Sequence, residues 1–571
     1  MGLHRAAYVM YNQREHHVPV SLLVVGPSER FISYIGNLLP SLGETAAVHR
    51  SIGELATSKL SEADRRMLTD LRDEPPEASA LKGDPRMAML VDRALWTAVR
   101  PRDVTLTIDS TPIALAASDV AAIARSLRSM PYRLAKARLQ TQIIDSLRDQ
   151  YVDIRRRRTG LTPSSGELES VMRQIRAGLD QSGVMKAIMS APRPLEVVRQ
   201  LLGDPDLIAH CSTGLLTSSE RRLLSSSSKR GPKDWTDADL PLIDEAAWQL
   251  RRPPDTYSHV VVDEAQDLTP MQWRVIKRRV RQQSVTLLGD IAQSSAPGAA
   301  SSWDQVTEWA GVPSAEITHL RIGYRVPSDI MGVANALLPA IAPDLPPVHS
   351  LRSTEPPRLV KAPGRPSLLR RVKEAVESFE GSGGLTAVIA CDPAMRTELE
   401  RDVGSAAVLL LPHEAKGLEF DNVVLVEPAA IGTASVRRQQ LLYVALTRAT
   451  KHLTIVHHQP LPSELEEPQR ARSRGGNTRP SPMPENTGDG ANLTTVEPQE
   501  AVSLETAAGR ADEAPNESHE ELSENVATNG APPMPDEHSD VPPTDVPTAP
   551  QTERPSPGIG GRLLRMLRLR R

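Results

Sequence analysis

Ser258-His-Val-Val-Val-Asp-Glu-Ala-Gln-Asp267 is the stretch that decides the fold. Its apolar run is short and unbroken, the pattern of a strand buried on both faces of a parallel sheet. It ends in adjacent carboxylates. At such a strand end, Asp263 is placed to hold Mg²⁺ and Glu264 to polarise a water that attacks a γ-phosphate. The partner of an acid pair of this kind is a Gly-x-x-x-x-Gly-Lys-Ser/Thr loop, whose backbone N–H groups and lysine cradle the phosphates. The 571 residues contain no Gly-Lys pair.

Outward from this strand, short Val/Leu/Ile runs recur at Val20–Val25, Val285–Leu288, Leu385–Ala390, Ala407–Leu411, Val423–Val426 and Leu453–Val456. Helical stretches such as Met271–Arg281 and Pro327–Leu338 separate them, as βαβ units require. The fold class is therefore α/β, with the strands in two groups divided near residue 320 and so two parallel-sheet domains. Residues 51–235 break the rhythm. Ser118–Ser129, Tyr132–Arg158 and Glu167–Leu179 read as helices, and Val104–Ile108 with Pro112–Leu115 as a small strand pair. This is a mostly helical insertion in the first domain, which resumes over 236–320 after a flexible linker, Ser225–Gly231. The second domain covers 321–461. The Arg155-Arg-Arg-Arg158 run lies on a helix of mixed charge and reads as a solvated face before a phosphate contact.

Residues 462–571 differ in kind. Up to about residue 560 they are rich in Pro, Glu, Ser, Thr, Asn and Asp and contain no Phe, Trp or Tyr. They cannot bury enough apolar area to offset the entropy of ordering, so disorder is predicted. The basic apolar end, Gly561–Arg571, is either a contact for nucleic acid, an acidic partner or a membrane surface, or a frayed terminus.

Composition sets further bounds. A formal net charge of −4 excludes a polycation that coats nucleic acid. Cys211 and Cys391 lie far apart, which points to a reducing, cytoplasmic compartment and away from a zinc site or disulfide framework. No run approaches the ~18 apolar residues of a membrane span, and the N-terminus lacks a signal-peptide pattern.

Four more segments carry polar chemistry at strand or helix ends. Leu287-Leu-Gly-Asp290 is a second strand ending in an acid, with Gln293 one turn on. Tyr324-Arg325 sets a stacking ring beside a fixed cation. His413-Glu-Ala-Lys-Gly-Leu-Glu-Phe420 is a polar turn between apolar strands, where open α/β sheets bind ligands. Leu441-Leu-Tyr-Val-Ala-Leu-Thr-Arg448 is a helix with an arginine at its end, and an arginine in a phosphoryl-transfer site is worth roughly 10³–10⁵ in rate.

In this order, the five segments resemble the later motifs of UvrD/Rep-type superfamily 1 helicases, over about residues 257–457. The resemblance implies two RecA-like domains, ATP and Mg²⁺ as cofactors, and DNA as a partner. It implies Mg²⁺ at Asp263, water activation by Glu264, and γ-phosphate sensing by Gln293. It implies base stacking on Tyr324, γ-phosphate contacts from Arg325 and Arg448, and support of the ribose and the interdomain contact by Gly417 and Glu419. A closer resemblance is to the HelD group of RNA polymerase-associated recycling ATPases, in their actinobacterial form. Trp235-Thr-Asp-Ala-Asp-Leu-Pro-Leu-Ile-Asp-Glu245, Pro270-Met-Gln-Trp273 and Val24-Val-Gly-Pro27 with Leu39-Pro-Ser-Leu-Gly-Glu44 carry it. It implies RNA polymerase as partner and, for residues 51–235, a part in opening its clamp.

Two departures matter. The helicase pattern continues past Gln293 into an aromatic segment that stacks on DNA bases, whereas Ser294-Ser-Ala-Pro-Gly298 follows here and the next tryptophan is Trp303. Stacking worth ~1–3 kcal/mol per base goes with it, which favours the HelD resemblance. The second departure is the phosphate loop. Leu3-His-Arg-Ala-Ala-Tyr8 resembles the helix that follows Gly-Lys-Thr in the HelD group, so residues 1–50 read as the remnant of the first RecA-like domain past that loop. Charge-assisted bonds to phosphate contribute roughly 1.5–3 kcal/mol each. At ~1.4 kcal/mol per tenfold, losing three weakens ATP binding by roughly three orders of magnitude or more. The first sheet is also expected to lack a strand, opening an edge in what should be its centre. The expectation is a HelD-type motor that is ATPase-impaired as written. A 3′–5′ DNA helicase of the UvrD kind and a non-catalytic RNA polymerase-binding protein are the alternatives, with the oligomeric state open.

Overall fold

The computed structural model describes residues 21–26, 47–225, 234–250, 255–281, 284–381, 383–432 and 435–466. The readings of Leu3–Tyr8 and Leu39–Glu44, of most of the Ser225–Gly231 linker and of the tail from residue 467 onward lie outside them.

In chain order the strands are β1 (Leu22–Gly26), β2 (Val48–Ser51), β3 (Val104–Ile108), β4 (Thr111–Leu115), β5 (His259–Val262) and β6 (Val285–Leu287). They continue with β7 (Ile322–Gly323), β8 (His349–Ser350), β9 (Arg358–Lys361), β10 (Thr386–Ile389), β11 (Val408–Leu410), β12 (Phe420–Val426) and β13 (Ala449–His457). They form two parallel sheets, ordered β2-β1-β5-β6 and β11-β10-β12-β13-β9, with β3-β4 and β7-β8 as separate pairs. The α/β class with parallel sheets stands as read.

The central strands are apolar on both faces because neither side of their pleat meets water. β1 and β5 are buried at every residue, and β12 at all but Asp421. Two strands escape the apolar pattern. Among the described residues β2, Val-His-Arg-Ser, and β9, Arg-Leu-Val-Lys, are edge strands; Arg50, Arg358 and Lys361 face solvent while Ser51 is buried, and only pairing with β1 and β13 defines them. β6 is the other edge of the first sheet. Its three residues are half-buried and pair directly with β5, so the open edge expected at the centre of the sheet is not found among the described residues: β2, β1, β5 and β6 form an unbroken ladder.

Between β2 and β5 the described residues are mostly helical and carry the β3-β4 hairpin. Its longest elements are α1 (Tyr132–Thr159) and α2 (Ser165–Ser182). Gly160 ends α1 at φ +72°, in the left-handed region that glycine enters without a Cβ penalty. Ser164 and Glu167 then start α2 with a reciprocal capping box. α1 is anchored at its first turn, where Tyr132 N donates to Gln249 Oε1 and the Tyr132 hydroxyl donates to Ser190 O.

Behind the first sheet, α3 (Leu240–Leu250) and α4 (Pro270–Lys277) hold a buried ion network. Asp244 binds Arg278 at 2.7 Å and Arg279 at 2.9 Å, while Glu245 binds Arg274 at 2.8 Å and also Arg278. Arg279 further donates to the carbonyls of Val275 and Leu55. Each charge removed from water here has an opposite partner, the condition under which burial is tolerated.

Candidate active site

The loops at the carboxyl ends of β5 and β6 and the turn between β11 and β12 meet in the cleft between the two sheets. At the end of β5 the backbone turns sharply, with Glu264 at φ +53°, a left-handed conformation that costs a non-glycine residue about 1–3 kcal/mol. The turn sets Glu264 N to donate to Asp263 Oδ1 at 3.0 Å. Gln266, fully buried, donates from Nε2 to Glu264 Oε2 at 2.6 Å and accepts the Asp290 N–H on Oε1 at 3.2 Å. It thereby ties the ends of β5 and β6 together. Gly289 is required for this approach, since a Cβ there would collide with Gln266 Oε1. At the end of β6, Gln293 Nε2 donates to Asp290 Oδ2 at 2.9 Å.

The electrostatics of this acid cluster follow from its burial. Burial raises the pKa of Asp263, and the neighbouring Glu264 charge adds to the shift. Asp267 is also raised by burial, against the pull of Lys416, and burial raises Asp290 against its hydrogen bond from Gln293. Buried carboxylates that repel one another are relieved by a cation.

The second lobe supplies cations. Lys416, in the turn before β12, pairs with Asp267, lies 3.9 Å from Glu264 Oε2 and donates to Gln293 O. Helix α5 (Val436–Leu446) sends Arg437 to Ser295 O at 2.6 Å. Arg448, just past α5, donates from Nη2 to Gln293 Oε1 at 3.0 Å and is held from behind by Val444 O and Leu418 O. Its burial lowers its pKa, while Glu264, Glu419 and Asp290 oppose the shift.

The residues singled out from the sequence thus fall into two groups. Asp263, Glu264, Gln293 and Arg448 converge, with Arg448 reaching Gln293 across the cleft. Tyr324 and Arg325 stand at the exposed rim, and Arg325 pairs with Glu419 of its own lobe at 2.7 Å. Gly417 has φ +72°, which shapes the turn that carries Lys416 and Glu419. Arg352, outside every motif, holds the rim. It donates to the carbonyls of Tyr324 and Arg325 from one nitrogen and to that of Thr450 from another. Gln266, Asp267 and Lys416 lie inside the quoted motifs without a role assigned there; Gln266 joins Glu264 to Asp290, and Asp267 pairs with Lys416.

The donor set fits a magnesium ion. Among the described residues no three His, Cys, Asp or Glu side chains form a complete cage. Mg²⁺ is held by one or two carboxylates with water and phosphate oxygens making up its shell, so it needs no cage. For the triphosphate of ATP the described residues offer acids and cations of the cleft but no glycine-rich cradle.

Family comparison agrees with this geometry. Residues 222–295 match the UvrD/REP helicase N-terminal domain, and residues 408–456 match the UvrD-like helicase C-terminal domain. Those two stretches of the chain therefore carry UvrD-like helicase N- and C-terminal domain sequence. No curated protein matches it. One similar solved structure is the C-terminal domain of a possible DNA helicase from Lactobacillus plantarum WCFS1, at 21% identity and a TM-score of 0.22. That match covers 25% of this chain and 92% of the other. Another is the arterivirus nonstructural protein 10 helicase in complex with DNA, at 20% identity and a TM-score of 0.24. It covers 38% of this chain, which spans 43% of that helicase. Among the described residues, no helix is long and apolar enough to cross a membrane.

Proposed function

We propose that this chain is a superfamily 1 ATP-dependent motor of the HelD type, acting on RNA polymerase–nucleic acid complexes, with weak hydrolysis as written. The observation that carries the motor reading is the bonded path Asp290–Gln293–Arg448. It links the acidic end of the first sheet to a buried arginine of the second through hydrogen bonds of 2.9 and 3.0 Å. Gln293 touches both lobes, so a change at the γ-phosphate position moves one against the other. Asp263 is the residue to hold Mg²⁺, which when bound neutralises phosphate charge. Glu264, aimed by its strained backbone and by Gln266, orients and deprotonates the attacking water. Tyr324 offers its exposed ring to the base. Arg325 and Glu419 form the rim pair that a nucleotide entering the cleft would meet.

The loop after Gln293 supports the polymerase-directed reading over strand separation. Ser294 and Ser295 are buried, with Ser294 bonded to Gln266 O and Ala300 O and Ser295 N donating to Asp267. That loop is packed into the first lobe and presents no aromatic ring to a base. Weak hydrolysis follows from the lack of a Gly-Lys phosphate loop in the 571 residues.

The test is Mg²⁺-dependent ATP hydrolysis by the full chain, alone, with core RNA polymerase, and with single-stranded DNA. The expected result is slow turnover, stimulated by polymerase and removed by Glu264→Gln. Turnover indifferent to Glu264→Gln would falsify the motor reading. Strong stimulation by single-stranded DNA with strand separation supports the UvrD-type alternative, and polymerase binding with no hydrolysis supports the non-catalytic one.

A further inference from the structure

Three second-lobe cations reach the first lobe, and they are not equivalent. Arg448 uses Nε and Nη1 on carbonyls of its own lobe and shares Nη2 between Thr447 Oγ1 and Gln293 Oε1. Arg437 meets a backbone carbonyl, Ser295 O. Lys416 is different. Every partner shown for its ammonium, Asp267, Glu264 and Gln293 O, belongs to the first lobe. Its side chain is 14% exposed, as is that of Asp267, so the pair is shielded from the screening that makes surface ion pairs weak. Asp267 is fixed in turn by the N–H groups of Ser295 and Ala296 on its other oxygen.

We propose that Lys416 is the electrostatic latch of the cleft, holding the lobes together as counter-ion to Asp267 and Glu264, and that a divalent cation at the acid pair competes with it. The competition rests on the metal-holding reading of Asp263. The physical ground is that Glu264, 3.9 Å from the Lys416 ammonium, is also half of the acid pair, and two cations drawn to one carboxylate repel inside a part-buried cleft, where the effective dielectric is far below that of water. The carboxylates accept one or the other. Because the Lys416 ammonium is bonded to Asp267, Glu264 and Gln293 O of the first lobe, releasing it leaves the second lobe's own hydrogen bonds intact. Metal entry then loosens the cleft at Lys416, while the Arg448–Gln293 and Arg437–Ser295 bonds still cross it. Lys416 is a positioning residue, since it acts on Glu264 through charge and geometry.

The experiment uses the full chain with Cys391→Ser, leaving Cys211 buried. Fluorophores go on Glu308→Cys in the first lobe and Glu400→Cys in the second, both exposed positions. Lys416→Met keeps the aliphatic stem and removes the charge; Lys416→Arg keeps the charge. Without nucleotide or metal, the Met variant is expected to show a broader and longer interlobe distance distribution, which the Arg variant largely restores. Mn²⁺ alone, titrated by electron paramagnetic resonance, is expected to bind the Met variant at least about fivefold more tightly than the parent. It is also expected to shift the parent's distance distribution towards that of the Met variant. Identical distributions in parent and Met variant overturn the latch, whatever the metal does. Mn²⁺ binding that is equal in both and unaffected by Asp263→Asn overturns the metal-holding reading and the competition, with the distance measurement still deciding the latch. Equal binding that Asp263→Asn does weaken overturns the competition alone.

Discussion

The two sheets of this molecule are built from the same βαβ logic and stabilised by different means. Behind the first sheet, the helices α3 and α4 are joined by five buried or half-buried charges, Asp244, Glu245, Arg274, Arg278 and Arg279. The second sheet has longer central strands, seven residues in β12 and nine in β13, and rests on an apolar core that includes Val424, Leu425 and Ile455. The functional ends differ in sign. Acids gather at the first sheet and cations at the second. The charges of the cleft lie beside continuous apolar packing, since one core cluster runs from Val25 and Val262 of the first sheet to Leu425 and Ile455 of the second.

The comparison is broken most severely by Glu245→Ala, which leaves Arg274 and Arg278 short of a buried partner. It is expected to cost about 3–5 kcal/mol. All six tryptophans lie before residue 310, so their fluorescence during chemical unfolding reports the first lobe. Leu425→Ala is expected to cost about 2–5 kcal/mol by cavity formation in the second lobe. If the lobes are separate bodies, it shifts a circular-dichroism transition and leaves the tryptophan transition in place. A tryptophan midpoint that moves in step would show that they unfold as one.

Gly289→Ala tests the suture at the first sheet's acidic end. A Cβ meets Gln266 Oε1, and the resulting overpacking is expected to cost about 1–3 kcal/mol in the tryptophan transition. It also releases Glu264 from its hydrogen bond, so any hydrolysis falls further than stability does.

A pH test separates the lobes by the direction of a carboxylate's shift. Asp421, at the start of the second sheet's β12, is disfavoured as an anion by burial. The Lys451 ammonium and the Leu385 N–H outweigh that and hold its pKa below the ordinary 3.8. A carboxylate with a lowered folded-state pKa stabilises fully above its unfolded value, and that stabilisation is lost as pH falls through the folded value. Asp421→Asn is therefore expected to lower the unfolding midpoint at pH 7, with the gap to the parent closing below about pH 3.8. A gap that persists in acid assigns the loss to packing. The smallest effect belongs to Arg325→Ala at the rim, where an ion pair open to solvent contributes under about 1 kcal/mol. Its effect is expected on nucleotide affinity, read by titration with a fluorescent ATP analogue, with the unfolding midpoint unchanged.

Much of the fold was legible because the central strands are apolar on both faces. Val260–Val262 and Val423–Val426 advertise themselves in any register. β2 and β9 were illegible for the opposite reason. An edge strand such as Arg358-Leu-Val-Lys361 buries one side of its pleat at most, and its neighbour, β13, is nearly a hundred residues away in sequence. At the site, motif order located Asp263, Glu264, Gln293 and Arg448, whose chemistry depends on strand and helix ends. Arg352 could not be found that way, because its three acceptors are backbone carbonyls and carry no sequence signal.

The sequence by itself determined the two-sheet α/β class, the acids at the first sheet, the cations at the second and the missing Gly-Lys pair. Those are consequences of local pattern, since burial dictates residue type along a central strand. Only the tertiary structure decided how the charges are shared. Arg448 faces Gln293, Arg325 stays on its own lobe with Glu419, and Lys416 crosses to Asp267. A side-chain cation reaches several ångströms in any direction, so its partner is fixed by how the two bodies pack, which no stretch of a single strand encodes.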